Sequence, residues 1–319
     1  MPTFDVTPDN AKQRLDKFLT ERLPGRSRSQ IQKLIKSGGV AVNGKTVAVH
    51  HFLRAKDSVS IDDAKVREAA GGGFMKKLLQ RQLAPELAIV HDAGDFCVVN
   101  KPAGLLVHEA PGDTGTTLVD LILKKFPSVK KVGEDPMRPG IVHRLDKEVS
   151  GLLVIAKTQN MFDHLKNQFK QRKVAKEYTA LVHGAPQRHG GEITFNIDRS
   201  ETAGHKMAAV PITGSDNRGK RAVTQFETIE KIGNFTLLKI MPKTGRTHQI
   251  RVHLNAYGLP IVGDLTYRPK KVISKIEMKR IFLHANHLEF NDVNGIRRSF
   301  DAPLPDELAT VLSRLKSQS

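Results

Sequence analysis

The sequence lacks the features that mark secreted, disulfide-stabilised or membrane-spanning proteins. Its 319 residues include one cysteine, Cys97, which excludes a disulfide framework and a cysteine-based zinc site. The N-terminus does not show the basic stretch followed by an apolar stretch that a signal peptide has. No apolar run approaches the roughly 18 residues that a membrane span needs. These absences predict a soluble protein of a reducing compartment, the cytoplasm, with no membrane partner.

Motifs for metal and nucleotide binding are missing as well. The 13 histidines show no H-E-x-x-H or comparable ligand spacing. The segment K-T-G-R at 243–246 is not preceded by the glycine-rich frame of a phosphate-binding loop, and no G-x-G-x-x-G follows a predicted strand. We interpret His50-His51 and the pair His248 and His253 as hydrogen-bonding or RNA-facing residues. We therefore expect no metal and no cofactor.

Acidic residues are scarce relative to basic ones. The chain has 33 Asp+Glu against 51 Lys+Arg, which gives a formal net charge of +18. Residues 12–81 carry more than half of this excess. A surplus of this size favours polyanionic partners, and nucleic acid is the leading one, although a generally basic protein is an alternative.

The N-terminal residues predict a small basic module of two helices and a hairpin. The first helix would end at Pro24-Gly25, and its apolar stripe is Leu15, Phe18, Leu19 and Leu23. The second helix would begin at Ser27 or Ser29 and end at Gly38, and its apolar stripe is Ile31, Leu34 and Ile35. Asn43-Gly44 then predicts the tight turn of a hairpin.

Four basic residues lie on or before the second helix, where phosphate oxygens would meet side chains and the helix N-terminus: Arg26, Arg28, Lys33 and Lys36. The order of helix, S-R-S-x-I, helix and V-x-V-N-G-K resembles the S4 RNA-binding domain. The alternative is an ordinary helix pair and hairpin with a solvated basic face. Residues 63–84 look like a linker, because Gly71-Gly72-Gly73 favours flexibility. These features divide the chain into residues 1–62, the linker 63–84 and residues 85–319.

The segment from Pro85 onward is rich in predicted strands. Thr116 or Thr117 would cap a helix that runs through Phe126, and Thr158 would cap another. Strands and helices do not alternate strictly, so an α+β fold with a mainly antiparallel sheet is favoured over a doubly wound parallel fold.

Three segments concentrate polar residues beside predicted strands. In His143-Arg144-Leu145-Asp146, two charged residues stand between apolar runs that look like strands. In Lys176-Glu177-Tyr178, a tyrosine opens a strand-like run. The third segment, 244–254, carries Arg246, His248, Arg251 and His253.

An ionised aspartate beside a fixed arginine suits nucleophilic attack on an electrophilic carbon, such as a sugar anomeric carbon. A glycosidase would need a second carboxylate acting as the acid, and only Glu148 lies near Asp146 in the sequence. The structural alternatives are a salt bridge for Asp146, a core-edge aromatic for Tyr178 and a phosphate clamp for Arg251. A triad of His143, Asp146 and Ser150 is disfavoured because no G-x-S-x-G elbow is present.

Five motifs, taken in order, resemble the RluA family of pseudouridine synthases. They are N-K-P-A-G-L-L-V-H, H-R-L-D-K-E-V-S-G-L, K-E-Y, T-G-R-T-H-Q-I-R-V-H and F-L-H-A, at 100–108, 143–152, 176–178, 244–253 and 282–285. The resemblance implies that uridine is isomerised by breaking its N1–C1′ bond, rotating the base and rejoining it through C5. It requires no cofactor. Val149 stands where the family usually has threonine, for which we expect a change in packing.

The resemblance also implies roles for individual residues. Asp146 would be the catalytic aspartate, as a nucleophile at C1′ or as a base, and Arg251 would pair with it. Tyr178 would stack on the base and assist proton transfer. The further substrate-binding candidates on these motifs are Arg144, which would hold or replace the flipped nucleotide, and His143, Leu283, Arg246 and His248.

The extended forms of the second and fourth motifs look most like the RluD branch of this family. The resemblance therefore implies large-subunit ribosomal RNA, or its assembly intermediate, as the partner, with RluC-like sites as the alternative. We expect the protein to act as a monomer.

Overall fold

The computed structural model describes residues 3–23, 28–62, 86–109, 115–201, 206–212, 218–268, 276 and 278–318. The chain divides into two compact units: Met1–Ala84 with Glu109–Thr116, and Pro85–His108 with Thr117–Ser319. The predicted linker at 63–84, the Pro24-Gly25 break and the Ser27 cap lie outside the described residues, as do Arg26 and the side chains of Arg28 and Ser29.

The first unit contains the two predicted helices, α1 at Leu15–Arg22 and α2 at Arg28–Lys36. Their predicted apolar stripes are buried in one core, to which Leu15, Phe18, Leu19, Ile31, Leu34 and Ile35 contribute. Leu23 packs against this core from its edge. After α2, Gly38 has a φ of +71° and its N–H donates to the carbonyl of Ile35. The predicted glycine stop of this helix is therefore confirmed.

Four short strands complete this unit in the order β1-β4-β2-β3, and all pairs are antiparallel. They are β1 Thr3–Asp5, β2 Val40–Val42, β3 Lys45–Thr46 and β4 Ser58–Ile61. Asn43 and Gly44 connect β2 and β3 with φ values of 50° and 77°. Two consecutive positive φ angles are the signature of a type I′ turn, so the predicted hairpin is confirmed.

The second unit is built on one ten-stranded sheet in the order β10-β9-β11-β12-β8-β13-β7-β6-β5, with β14 paired to β13. All pairs are antiparallel except β13 with β7, which is parallel. This arrangement confirms the predicted α+β class with a mainly antiparallel mixed sheet. The strands are β5 Ile89–Asp92, β6 Phe96–Lys101, β7 Ser150–Ala156, β8 Ala175–His183, β9 Gly190–Arg199, β10 Met207–Val210, β11 Lys220–Ile232, β12 Phe235–Pro242, β13 Leu283–Asn291 and β14 Arg297–Asp301.

Four α-helices of the described residues pack on this sheet or follow it. They are α3 Leu118–Lys125, α4 Gln159–Lys170, α5 Gln249–Ala256 and α6 Asp306–Ser317. Thr117 caps α3 in a capping box with Asp120, and Thr158 caps α4 through the N–H of Met161. Both predicted caps are confirmed, and of the two candidates Thr116 and Thr117 it is Thr117 that caps α3. A threonine hydroxyl satisfies an N–H that has no partner within its own helix.

The strand predicted before His143 is absent. Ile141 makes a single bridge to Ile155, and the chain from Val142 to Lys147 forms no strand. Strand β7 begins only at Ser150. Apolar composition therefore overestimates strand here: Ile141 and Val142 are half-buried beside the sheet, and the single bridge of Ile141 is not extended into a strand.

Within the described ranges, no helix is long and apolar enough to cross a membrane. No group of three or more His, Cys, Asp or Glu in the same ranges is arranged to hold a metal ion.

Candidate active site

The loop that carries Asp146 lies directly before strand β7, which begins at Ser150. Within this loop, the N–H of Val149 donates to the carbonyl of Asp146 over 3.2 Å. The carbonyl of Lys147 accepts from the N–H of Gly104 over 2.7 Å. These bonds place the aspartate in a turn between two apolar segments rather than at the end of a continuous strand.

A buried lysine anchors the loop that carries Asp146. Lys101, at the end of β6, has no exposed side-chain surface, and its Nζ donates to the carbonyls of Pro102, Leu105 and Lys147 over 2.9, 2.8 and 3.2 Å. Burial, joined by the charge of Arg280, lowers the pKa of Lys101 to about 7, while Asp146 acts in the opposite direction. The lysine lies within the first quoted motif, but its role as an anchor was not predicted.

Arg251, on α5, lies within ion-pair distance of three carboxylates: Asp264, Asp146 and, with 3.8 Å between Nη1 and Oε2, Glu148. Its Nη1 lies 3.3 Å from Oδ2 of Asp146, as expected for the predicted ion pair. Its shorter bonds go to Asp264, with Nε to Oδ2 at 2.7 Å and Nη2 to Oδ1 at 2.9 Å. Burial opposes the charge, but Asp264 and then Asp146 outweigh it and raise the pKa of Arg251. A bidentate pair fixes the plane of the guanidinium and so directs Nη1 toward Asp146.

The motifs in the sequence do not predict Asp264 as part of the site. It is buried, and besides Arg251 it accepts hydrogen bonds from the backbone N–H groups of Thr266 and Tyr267. Burial raises the pKa of this carboxyl, but the bonds and charge of Arg251 outweigh it and lower the pKa. An aspartate that bonds the N–H two residues ahead is an Asx turn, and G-D-L-T at 263–266 carries that signal. The pairing with Arg251 has no signal in the sequence.

The loop 244–248 is organised by one glutamine. Oε1 of Gln249 accepts from the Thr244 hydroxyl at 2.7 Å and from the Arg246 N–H at 3.0 Å. Its Nε2 donates to the carbonyl of Val223 and the hydroxyl of Thr224 on β11. All polar atoms of this buried side chain therefore serve to join the loop, the start of α5 and the sheet. Arg246 and His248 therefore lie in the loop between β12 and α5 rather than on the helix.

All eight predicted catalytic and substrate-binding side chains line one cleft of about 710 Å³: His143, Arg144, Asp146, Tyr178, Arg246, His248, Arg251 and Leu283. The cleft lies between the Asp146 loop, the end of α4, strand β8 and the loop before α5. Val149, the departure from the family pattern, is also in its wall and is buried. Residues more than 100 positions apart in the chain therefore share one site.

Tyr178 forms an apolar wall of this cleft. It lies on β8 and is 8% exposed, and its strand pairs with β12 and β13. Burial, joined by the negative charge of Asp146, raises the pKa of its hydroxyl. The phenol of Tyr178 is therefore protonated and uncharged at neutral pH, and it lines the same cleft as Asp146.

His143 is engaged by the protein itself. Its Nε2 accepts from the N–H of Val154 at 3.1 Å, and its ring stacks on Phe169 with 4.7 Å between centroids. Burial, joined by the charge of Lys176, lowers the pKa of this imidazole to about 3. The ring is therefore neutral and fixed, which suits a wall of the cleft better than a mobile acid.

The triad considered as an alternative is not assembled. The Ser150 hydroxyl lies 2.8 Å from Nδ1 of His284 and accepts from Nη2 of Arg280 at 2.7 Å. His143 uses its Nε2 for Val154 instead. Ser150 is also buried and does not line the cleft.

Comparison with known families identifies the family to which this chain belongs. A model described as RNA pseudouridylate synthase matches residues 95–256, and one described as S4 domain matches residues 13–59. The chain belongs to the RNA pseudouridylate synthase family.

Named relatives and solved structures agree. The chain is 36% identical over 325 residues to ribosomal large subunit pseudouridine synthase D of Zymomonas mobilis, covering 99% of this chain and 98% of that one. It is 35% identical over 319 residues to an RNA pseudouridine synthase of Bacillus subtilis named YlyB, covering 99% of each. The structure of human RNA pseudouridylate synthase domain containing 4 superposes with a TM-score of 0.58 at 25% identity, covering 76% of this chain and 97% of that one.

The cleft of this pseudouridine synthase has a basic rim. Its lining contains two acids, Asp146 and Glu177, and nine Lys or Arg: Arg138, Arg144, Lys170, Arg172, Lys173, Lys176, Lys243, Arg246 and Arg251. Arg144 is exposed, and its guanidinium forms no hydrogen bond or ion pair with any residue that the structure describes. Such a surface suits a polyanionic substrate.

Arg172 stands out on this rim because its φ is +60°. A left-handed backbone is unfavourable for a residue with a Cβ. The turn after α4 holds it, since the N–H of Arg172 donates to the carbonyl of Phe169 and that of Lys173 to the carbonyl of Gln168. Lys170, Arg172 and Lys173 are all exposed at the mouth of the cleft.

In the unit with the S4 match, Lys33 and Lys36 are exposed on α2, opposite the buried stripe of that helix. Arg26 and the Arg28 side chain, predicted to act with them, lie outside the described residues.

Proposed function

We propose that this enzyme converts uridine to pseudouridine in large-subunit ribosomal RNA, with Asp146 as the catalytic residue. The observation that carries the proposal is the position of Asp146, whose carboxylate lies 3.3 Å from the fixed guanidinium of Arg251 in a basic cleft. The ribosomal substrate is supported by the names of relatives such as the Zymomonas mobilis enzyme, which is similar over nearly its whole length.

The reaction exchanges one glycosidic bond for another. The N1–C1′ bond breaks, the base turns, C5 bonds to C1′, and the C5 proton is lost while N1 gains one, so the mass of the RNA is unchanged. Asp146 would act on the sugar, at C1′ or on a sugar proton, because an oriented carboxylate suits either role. Arg251 would hold it ionised and in place.

The remaining cleft residues would bind the extruded nucleotide. Tyr178 would stack on the uracil ring and move a proton, and Leu283 and Val149 would line the pocket. A base in a stem has to be flipped out at a cost of about a few kcal/mol. Stacking on an aromatic ring returns roughly 1–3 kcal/mol of this cost.

Binding of the RNA backbone would fall to the exposed cations. Arg144 would hold the flipped nucleotide or fill its place, while Arg246 and His248 would contact the nucleotide from the loop before α5. His143 would support this wall. In the S4 unit the proposed phosphate contacts are Arg26, Arg28, Lys33 and Lys36. We propose the boundaries 1–62, 63–84 and 85–319 for these parts, and a monomer in the cytoplasm.

The experiment is to map pseudouridines in large-subunit RNA from cells with and without the gene, and from deletion cells that carry the wild-type or Asp146→Asn gene. We expect at least one pseudouridine to vanish on deletion and to return only with the wild-type gene. An unchanged map would contradict the ribosomal substrate. Release of free uracil or strand cleavage by the purified enzyme would instead indicate a glycosylase or a nuclease.

A further inference from the structure

His248 is held in an unusual conformation beside Asp146. It precedes the first residue of α5 with φ +55° and ψ +20°, a left-handed backbone that a residue with a Cβ seldom adopts. Its ring enters the cleft, with Nε2 4.0 Å from Oδ2 of Asp146. Backbone strain of this kind persists where surrounding contacts hold it, and it is common at functional sites.

The contact that fixes the ring is a buried tyrosine. Nδ1 of His248 lies 2.8 Å from the hydroxyl of Tyr267, and the two rings meet edge to face with 5.6 Å between centroids. Tyr267 is 8% exposed, and its own N–H donates to Oδ1 of Asp264, the residue that orients Arg251. Arg251 and His248, which both approach Asp146, therefore share one support.

The direction of the hydrogen bond follows from the other partner of the tyrosine. The hydroxyl oxygen of Tyr267 accepts from the N–H of Met207 on β10 at 2.9 Å. Its own proton then needs an acceptor, and among the residues that the structure describes Nδ1 of His248 lies at hydrogen-bonding distance. A tyrosine that donates to Nδ1 selects the imidazole tautomer with its proton on Nε2.

The charge state of the ring fits this tautomer. Burial lowers the pKa of His248, and although Asp146 acts in the opposite direction, Arg251 adds to the lowering. The other charged groups that act on the ring are Glu148 and Asp264, and both favour protonation. The net effect leaves a neutral imidazole at neutral pH.

We propose that Tyr267 is a positioning residue that fixes His248 as the Nε2–H tautomer and so directs a hydrogen-bond donor at Asp146. Arg251 and His248 both approach the same oxygen, Oδ2, at 3.3 and 4.0 Å. The other oxygen, Oδ1, is then the one presented to the nucleotide. This inference rests on the proposed role of Asp146, but the tautomer itself can be measured without RNA.

The tautomer is read by NMR of the protein labelled with 15N-histidine, in which the resonances of His248 are those lost in His248→Asn. In the wild type we expect a protonated Nε2 and an unprotonated Nδ1, and in Tyr267→Phe a shift toward a mixture of tautomers. Tyr257→Phe is the matched control, because Tyr257 is exposed and lies outside the cleft; it should leave the spectrum unchanged. A wild-type His248 protonated on Nδ1, or an unchanged spectrum in Tyr267→Phe, would overturn the proposal.

Two substitutions of the histidine test its function without changing Tyr267. In His248→Gln the amide nitrogen can reach the position of Nε2, whereas the shorter side chain of His248→Asn can replace only Nδ1, although asparagine tolerates the left-handed backbone better. We expect the glutamine variant to retain a single-turnover rate at least about tenfold above that of the asparagine variant, since misplaced groups at a reacting centre are costly. Equal rates would contradict a donor at Nε2. Absence of pseudouridine formation by the wild type would refute the proposed function and leave the NMR result standing.

Discussion

Replacing Asp264 by asparagine should both destabilise the protein and slow the reaction. The substitution keeps the size of the side chain but removes its charge. Asp264 is 3% exposed and accepts two hydrogen bonds from Arg251 and two from backbone N–H groups. An asparagine would offer one oxygen and one NH2 group. The NH2 group is a donor and would face the guanidinium of Arg251 or a backbone N–H, which are donors too.

The size of the effect follows from the burial of the pair. Removing one partner of a buried ion pair leaves the other charge uncompensated, which typically costs about 3–5 kcal/mol. Asp146 remains near Arg251 and offsets part of this cost, so we expect a loss of about 3 kcal/mol in the free energy of unfolding. The lowered pKa of Asp264 gives stability that is present above the unfolded-chain pKa of about 3.9 and is lost as the pH falls. The difference in the free energy of unfolding between the wild type and Asp264→Asn should therefore become smaller at acidic pH.

The assay can be restricted to the second unit. The chain has no tryptophan, and its three tyrosines are Tyr178, Tyr257 and Tyr267, all within that unit. Urea unfolding followed by tyrosine fluorescence therefore reports on this unit alone. A lower midpoint with an unchanged slope would show a change of stability without a change in the surface exposed on unfolding.

A double-mutant cycle with Arg251→Met separates the pair from general damage. If the two residues stabilise each other, the double variant should be more stable than the sum of the single losses predicts, by about 1.5–3 kcal/mol. Additive losses would refute the reasoning, because they would mean that the bidentate pair contributes nothing specific.

Three further variants have expected outcomes. Arg172→Gly should raise the free energy of unfolding by about 0.5–1 kcal/mol, because glycine tolerates the left-handed turn. The same variant should reduce the slope of log K for RNA binding against log salt concentration by the amount expected for about one phosphate contact. Unchanged binding would contradict a role of Arg172 at the rim of the cleft. Lys33→Ala with Lys36→Ala should weaken RNA binding and leave the single-turnover rate at saturating RNA unchanged, and a slower rate with unchanged affinity would contradict this. In a pH titration followed by absorbance at 295 nm, Tyr178→Phe should show the same absorbance change as the wild type up to about pH 10, because burial raises the pKa of Tyr178 and keeps its hydroxyl protonated. A smaller change in the variant would show that Tyr178 ionises with an ordinary pKa.

Local features were predictable because neighbouring residues encode them. The caps at Thr117 and Thr158 and the turn at Asn43-Gly44 each depend on a few adjacent residues, and all are observed. The α+β class followed from the irregular order of helices and strands. The order of the ten strands did not, since pairing between distant segments leaves no local pattern.

The candidate site was predictable only in part. The motifs named eight residues that line one cleft, but they did not indicate what holds them. Asp264, Tyr267 and Lys101 support the site through contacts with residues 13, 19 and 46 positions away. A lone acid or a lone tyrosine carries no periodic signal, so only the tertiary structure reveals such supports.

The most direct test of the central claim is the single-turnover rate of Asp146→Asn with large-subunit ribosomal RNA at saturating concentration, measured beside its affinity for the same RNA. Asparagine keeps the shape of the side chain and removes the carboxylate that would act on the sugar. We predict that no pseudouridine forms while the Kd stays within about threefold of the wild-type value, since exposed cations supply most of the binding. Appreciable turnover by Asp146→Asn would contradict the account.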